Sequence, residues 1–296
     1  MNNASFTADS NFYSMMTGRN FGFVTREQQL VIKSTCVFIP GVGGMGGTAL
    51  ECLARMGIEN FIIADFDTFE VSNLNRQIMC TTETIDKEKL VSAKNRVLQI
   101  NPNAQIKTYG KDWVEHLDQI LPQCDLVLNG CDDIKSTVLL ARKSKIFKKF
   151  IIDAYASTLP NVYVIDPNKK SQEEFHGFTT LNKTIHEITP EIEKQSLHKE
   201  IQYIMAATSS INYVVPEAIE GLLNGSIKRF SFCPMVWMTS TLMCHEVLKI
   251  IFKKPQKVGI EGYFINPWTL KIECPKKNIV YYIKNYFVAQ RMNKFL

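Results

Sequence analysis

Between residues 36 and 57 the chain reads CVFIPGVGGMGGTALECLARMG: a short β-rich run, a glycine loop, and a helix pattern closed by glycine. Gly41, Gly43 and Gly46 let a backbone turn sharply and come close to a phosphate, while the helix N-terminus offers free N–H groups and positive partial charge. A ligand-free strand-to-helix turn would need the same glycines, so the loop alone does not separate the two readings. The next strand does. FIIAD at 61–65 reads as that strand, and Asp65 ends it nineteen positions after Gly46. Dinucleotide-binding folds place there the acid that takes the ribose hydroxyls.

The pattern continues. A helix over DKEKLVSAKNRVLQI puts Leu90, Ala93, Val97 and Ile100 on one face, and the strand-like runs AQIKTY, DLVLNG, FIIDAY and NVYVID come after it, with a helix over 135–148. Strands alternating with helices of this length predict an α/β fold: a Rossmann-like, mainly parallel sheet with helices on both faces. After Asp166 the texture turns polar, then a long apolar helix follows Pro234, GYFINPWTLKIE reads as a hairpin turning at Asn266-Pro267, and the tail is amphipathic. The expected division is an N-terminal segment 1–30, a nucleotide-binding core 31–166, and a smaller mixed α/β part 167–296.

Composition narrows the class. At 296 residues with 45% hydrophobic content the chain is ordinary for a globular protein, and no run of 18 apolar residues or signal-peptide pattern occurs. A cytoplasmic protein with no membrane partner is expected. The net charge of +5 is scattered, which gives no reason to expect nucleic acid. The eight cysteines form no CxxC pair, so reduced structural cysteines are expected and zinc is not.

Immediately after the second strand comes DFDTFEVSNLNRQ, where Asp65, Asp67, Asn73 and Arg76 crowd one strand end and its loop. A cation and amide donors beside a ribose acid are what a polyphosphate needs. At these residues the chain resembles the ThiF/MoeB/HesA family, adenylyltransferases similar to the activating domain of ubiquitin-activating enzymes. The resemblance covers about residues 19–166 clearly and 234–252 more loosely. It implies that Gly41, Gly43, Gly44 and Gly46 form the ATP loop, that Asp65 binds the ribose, and that Asn73 and Arg76 of the SNLxRQ motif bind phosphate. Lys89 matches the family's phosphate lysine. Arg19, in RNFGFVTREQQ, matches an arginine that reaches the ATP of a neighbouring subunit, which implies a homodimer. In DLVLNGCDD, Asp132 matches the aspartate that binds magnesium, although Asn129 stands where the family more often has Asp. Read without the resemblance, Arg76 and Lys89 are surface cations and Asp132 caps the helix after it.

The implied activity is ATP-dependent adenylation of a carboxylate, such as the C-terminal glycine of a ubiquitin-like or sulfur-carrier protein, or of a peptide, with ATP and Mg2+ as cofactors. No cysteine lies between Cys131 and Cys233, where thioester-forming relatives carry one, so the product is expected to pass onward without a thioester. Adenylation of a small molecule or a tRNA base, and a silent scaffold subunit, stay open as alternatives. The segment IDPNKKSQEEFHGF resembles a bacterial ThiF-like subgroup, and its Phe175, His176 and Phe178 either line an acceptor groove or simply pack.

Overall fold

The computed structural model describes residues 11–292 other than 225, 228 and 229. The first ten residues of the expected N-terminal segment and the last four of the expected tail helix lie outside them. In chain order the helices are α1 (Phe12–Thr17), α2 (Arg26–Ser34), α3 (Gly44–Met56), α4 (Lys89–Ile100), α5 (Leu117–Ile120), α6 (Ile134–Ile146), α7 (Gln172–His176), α8 (Pro190–Ala207), α9 (Pro216–Asn224), α10 (Cys233–Ile251) and α11 (Ile279–Met292). The strands are β1 (Cys36–Pro40), β2 (Asn60–Ala64), β3 (Gln105–Tyr109), β4 (Leu126–Leu128), β5 (Ile151–Asp153), β6 (Asn161–Ile165), β7 (Tyr263–Asn266) and β8 (Lys271–Glu273).

They form one sheet in the order β3-β2-β1-β4-β5-β6-β7-β8. β1 to β5 run parallel, and β6, β7 and β8 each pair antiparallel with the strand before. The central strands carry apolar residues on both faces, as a covered parallel sheet requires. Val37 and Ile39 of β1, with Phe61 and Ile63 of β2, meet Ala49, Leu50 and Leu53 of α3, Ala93 and Val97 of α4, and Met243 and Val247 of α10. Their neighbours Phe38 and Ile62 face the other side, with Trp113, Leu140 and Ala141 of α6, and Tyr203 and Ile204 of α8. The period of two along each strand thus sorts one apolar run into two cores.

The part after residue 166 does not stand apart from this sheet. β7 and β8 extend it, and the hairpin between them turns where the sequence places it: Asn266 Oδ1 accepts hydrogen bonds from the N–H groups of Trp268 and Thr269 at 3.0 and 3.2 Å, an Asx turn that makes the reversal local. Among the described residues no helix is long and apolar enough to cross a membrane.

Candidate active site

β1 and β4 are sheet neighbours, yet the helices that follow them cover opposite faces, α3 on one and α6 on the other. Their loops therefore diverge and leave a crevice outside the carboxyl ends of the strands. A cleft of about 280 Å³ lies there, lined by Gly41, Gly43, Gly44, Asp65, Asp67, Arg76, Lys89 and Asp132 among others.

The glycine loop is built by backbone on backbone. Gly41 has φ +80°, a conformation open to glycine, and its N–H donates to Ala64 O at 2.7 Å. A Cβ on Gly46 would lie 1.9 Å from Gly41 O, and one on Gly130 would lie 2.2 Å from the same oxygen. Gly46 thus sits beneath the loop and sets its height, while Gly41, Gly43 and Gly44 face the cleft. Gly130 has the matching role on the β4 side and is not singled out by the glycine spacing, although its position after an apolar strand run was the available signal.

Asp65 ties this loop to β2. Its Oδ2 accepts from Val42 N–H at 2.8 Å and its Oδ1 from the N–H groups of Phe66 and Asp67 at 2.8 and 3.0 Å. The carboxylate is half-buried on the cleft wall. Lys89 opens α4, and its Nζ lies 2.8 Å from Asp67 Oδ2, the lysine side chain 9% and the aspartate 56% exposed. An almost enclosed cation thus reaches the cleft through a partner that solvent already competes for. Arg76 donates to Ser72 O at 3.1 Å and Asn75 Oδ1 at 2.8 Å, both neutral acceptors. Among the described residues no carboxylate pairs with it.

Asp132 and Asp133 divide two roles that the sequence leaves together. Asp133, not Asp132, caps α6: its Oδ1 accepts from Ser136 N–H at 2.7 Å. Asp132 stays exposed on the cleft and has no hydrogen-bond partner among the described residues. Asn129 is 1% exposed; its amide donates to Asp153 Oδ2 at 2.9 Å, and its Oδ1 accepts from Cys131 N–H at 3.2 Å. It fixes the turn that presents Asp132. Beside it, burial first and the Asp133 and Asp153 carboxylates second raise the Cys131 thiol well above its ordinary value.

Besides Gly46, beneath the loop, two of the sequence candidates are not among the residues that line the cleft. Asn73 is buried, and its Oδ1 accepts from Glu70 N–H at 3.1 Å, holding the short turn before Arg76. Arg19 lies exposed on the 3-10 turn Gly18–Asn20. Conversely, sequence reasoning gave no role to Gln77, the last residue of SNLxRQ, whose buried Oε1 has no partner among the described residues, or to Tyr155, Ala156, Ser157, Leu222 and Phe230, which also line the cleft.

Phe175, His176 and Phe178 pack. The His176 ring stands 5.5 Å from that of Tyr155, 5.2 Å from Phe178 and 5.0 Å from Tyr203. Tyr155 donates its one hydroxyl proton to Ile260 O, so His176 Nε2, 3.1 Å from that hydroxyl, is assigned as the donor to it. Nδ1 is then a buried lone pair without a partner among the described residues. The residue keeps some exposure, but its ring nitrogens are enclosed, and burial first, then Lys277, pushes its pKa down to about 3. These aromatics form a platform behind Tyr155.

Comparison with known proteins agrees with this geometry. The chain is 33% identical over 146 residues to a molybdopterin-synthase adenylyltransferase of Haemophilus influenzae, covering 48% of this chain and 60% of that protein. It is 29% identical over 137 residues to protein HesA of Nostoc, covering 46% and 53%, and 36% identical over 111 residues to the adenylyltransferase and sulfurtransferase UBA4 of Candida albicans, covering 37% and 25%. The chain thus spans 60% or less of the length of these relatives. Its fold resembles crystal structures of PaaA (TM-score 0.62, 16% identity, 93% of this chain and 78% of that one) and of Escherichia coli MccB with ATP (TM-score 0.60, 19% identity, 85% and 68%). The model of the ThiF family matches residues 17–278, most of the chain; the chain, with its glycine loop, the acid after β2 and the aspartate after β4 on one cleft, belongs to the ThiF family.

Proposed function

We propose that this protein is an ATP-dependent adenylyltransferase that activates a carboxylate, the C-terminal one of a small ubiquitin-like or sulfur-carrier protein or of a peptide, releasing pyrophosphate. One observation carries the reading: a single cleft gathers loop glycines, the acid ending β2, two cations from separate elements and an exposed acid after β4. The names of the relatives, adenylyltransferases, and the ATP in the MccB structure support it.

In this reading the amides of the glycine loop and the N-terminus of α3 orient the triphosphate, and Asp65 takes the ribose hydroxyls. A carboxylate oxygen then attacks the α-phosphorus; that P–O bond forms as the bond to the bridging oxygen of the β-phosphate breaks, and pyrophosphate leaves. Negative charge builds on the phosphates, and preorganised cations lower its energy. Arg76, with no carboxylate to neutralise it, and Lys89, released from the solvent-exposed Asp67 by a stronger anion, supply that charge. Asn73 acts by holding the Arg76 turn.

Magnesium suits the donor set. It retains several waters and takes one or two protein carboxylates alongside substrate phosphates, and among the described residues no cage of three or more His, Cys, Asp or Glu exists. Asp132 is the residue that would hold it, and the ion would neutralise phosphate charge.

Arg19 serves a neighbouring copy. Its flanking Phe21 and Phe23 are 70% and 93% exposed, apolar surface of the kind a partner covers, so the working unit is a homodimer. The product leaves as the acyl adenylate without a thioester: no cysteine lies between Cys131 and Cys233, and burial raises the Cys131 thiol well above its ordinary value. ATP–pyrophosphate exchange, screened against proteins ending in Gly-Gly, short peptides and tRNA, tests the proposal. Exchange that depends on a C-terminal carboxylate is the expected result; exchange with tRNA alone would replace the substrate class, and ATP binding with no exchange partner would remove the enzyme reading.

A further inference from the structure

The residues of the cleft that remain after the nucleotide's are counted lead into a second cavity. Ala156, Ser157, Leu222 and Phe230 line both. Beyond them the second cavity, about 60 Å³, is walled by Ile201, Ile204 and Met205 of α8 and by Ile211, Val214 and Ile219. Its hydroxyls are engaged locally. Ser157 Oγ lies 2.7 Å from Ser210 Oγ, Thr208 Oγ1 donates to Ser210 Oγ at 2.7 Å, and Thr158 Oγ1 donates to Ser210 O at 2.8 Å. The wall therefore offers an entering group mostly apolar contact and, among the described residues, at most one hydroxyl proton from the Ser157–Ser210 pair.

Resting on the adenylation reading above, we infer that this cavity is a specificity subsite that takes one small apolar side chain from the last two residues of the carboxylate-bearing substrate. Size limits the occupant. A 150 Å³ apolar cavity admits benzene, so about 60 Å³ admits roughly two or three carbon atoms, a valine-sized side chain. A charged side chain would be desolvated there with at most one hydroxyl proton to meet it, which disfavours it strongly. The cavity adjoins the cleft at Ala156 and Ser157, on the loop between β5 and β6, so a chain that delivers its carboxylate to the nucleotide passes beside it. The substrate this geometry selects ends in a segment carrying a valine-like side chain, and a bare Gly-Gly tail leaves the cavity unfilled.

The test is ATP–pyrophosphate exchange with hexapeptides ending Gly-Gly, Val-Gly, Gly-Val, Asp-Gly and Gly-Asp, using the full chain. At least one valine peptide is expected to exceed Gly-Gly in kcat/KM by about tenfold or more, and the aspartate peptides to fall below it. Ile219→Phe and Val214→Phe, which fill the cavity from separate positions, are each expected to collapse the valine-to-glycine ratio toward one. Equal kcat/KM for Gly-Gly and valine peptides, better use of the aspartate peptides, or a valine preference that survives both folded variants overturns the subsite while leaving adenylation standing. No exchange with any peptide or Gly-Gly protein, with ATP still bound, overturns the adenylation reading itself.

Discussion

The two ends of the cleft are made differently. At the nucleotide end the wall is main chain: Gly41, Gly46 and Gly130 bring carbonyls and amides so close that a Cβ at either of the last two would meet Gly41 O at 1.9 and 2.2 Å. At the far end the wall is side chain, Tyr155 to Ser157 from one loop, Leu222 from α9 and Phe230 from the segment before α10, resting on the aromatic platform around His176. Main-chain packing tolerates no substitution, whereas apolar side chains exchange for one another at modest energy. A phosphate site common to one family and a substrate site free to vary would be built in these two ways.

The contrast breaks first, if it breaks, at Gly46. Gly46→Ala places a methyl against a backbone oxygen that cannot swing aside, so the loop must shift. We expect nucleotide binding to be lost and stability to fall by about 3 kcal/mol or more. Calorimetric titration with ATP and a thermal melt check both, and a variant that binds ATP normally would show that the loop's height is unimportant.

Next in size are the charges. Neither the Arg76 nor the Asp132 side chain holds the fold together: among the described residues the Arg76 guanidinium bonds only to its own turn, the contact with Trp237 being made by the Arg76 carbonyl, and Asp132 is exposed. Arg76→Ala and Asp132→Ala should therefore each lower ATP–pyrophosphate exchange about a hundredfold with an unchanged melting temperature. Near-normal exchange in both would remove them from the chemistry. The homodimer is tested by mixing. Arg19→Ala and Arg76→Ala are each expected to be nearly inactive, but in a mixed dimer one site keeps its own Arg76 and receives the partner's Arg19, so random mixing restores about a quarter of wild-type exchange. No recovery on mixing argues that Arg19 acts within its own chain or not at all.

How much of this was legible in the sequence follows the same division. The nucleotide end was readable because the residues proposed for it are tied to strand ends, helix starts and a motif: Gly41 to Gly46, Asp65, Lys89 and Asp132 fall within a turn of a parallel strand or a helix start, and Arg76 belongs to the SNLxRQ run. The β5 to β8 half was readable as strands, yet the continuation of the sheet by β7 and β8 was not, because antiparallel pairing across a hundred positions leaves no local period. The walls at Ala156, Leu222 and Phe230 carry no motif, since any apolar residue of similar size would serve. The Asp132–Asp133 pair illustrates the limit at one residue: both suit a helix cap or a cation, and the choice depends on which carboxylate the turn held by Asn129 aims at the Ser136 amide.

The platform gives a smaller, pH-dependent effect. His176 has a folded pKa near 3 against about 6.5 in an unfolded chain. Below pH 6.5 the unfolded state therefore binds a proton that the folded state refuses, and stability falls as pH drops from 6.5 toward 3; above pH 6.5 the residue adds no dependence. Between pH 7 and 5 the loss is on the order of 1–2 kcal/mol. His176→Gln cannot take that proton and should flatten the slope, measured by urea unfolding at pH 7, 6 and 5. Identical slopes would mean that the ring is wetter than its surroundings suggest, and that the far end of the cleft is less firmly backed than the near end.

The smallest expected effect is the most local. Asp133 accepts the Ser136 amide at the start of α6, so Asp133→Ala should lower stability by about 1 kcal/mol, as loss of an N-cap does, and Asp133→Ser should restore most of it. Asp132→Ala, one residue earlier, should leave the melt unchanged. Two adjacent aspartates would then separate by assay, one read in the melting curve and the other in exchange. If Asp133→Ala melts like the wild type while Asp132→Ala does not, the cap belongs to Asp132, and the acid facing the nucleotide must be reassigned to its neighbour.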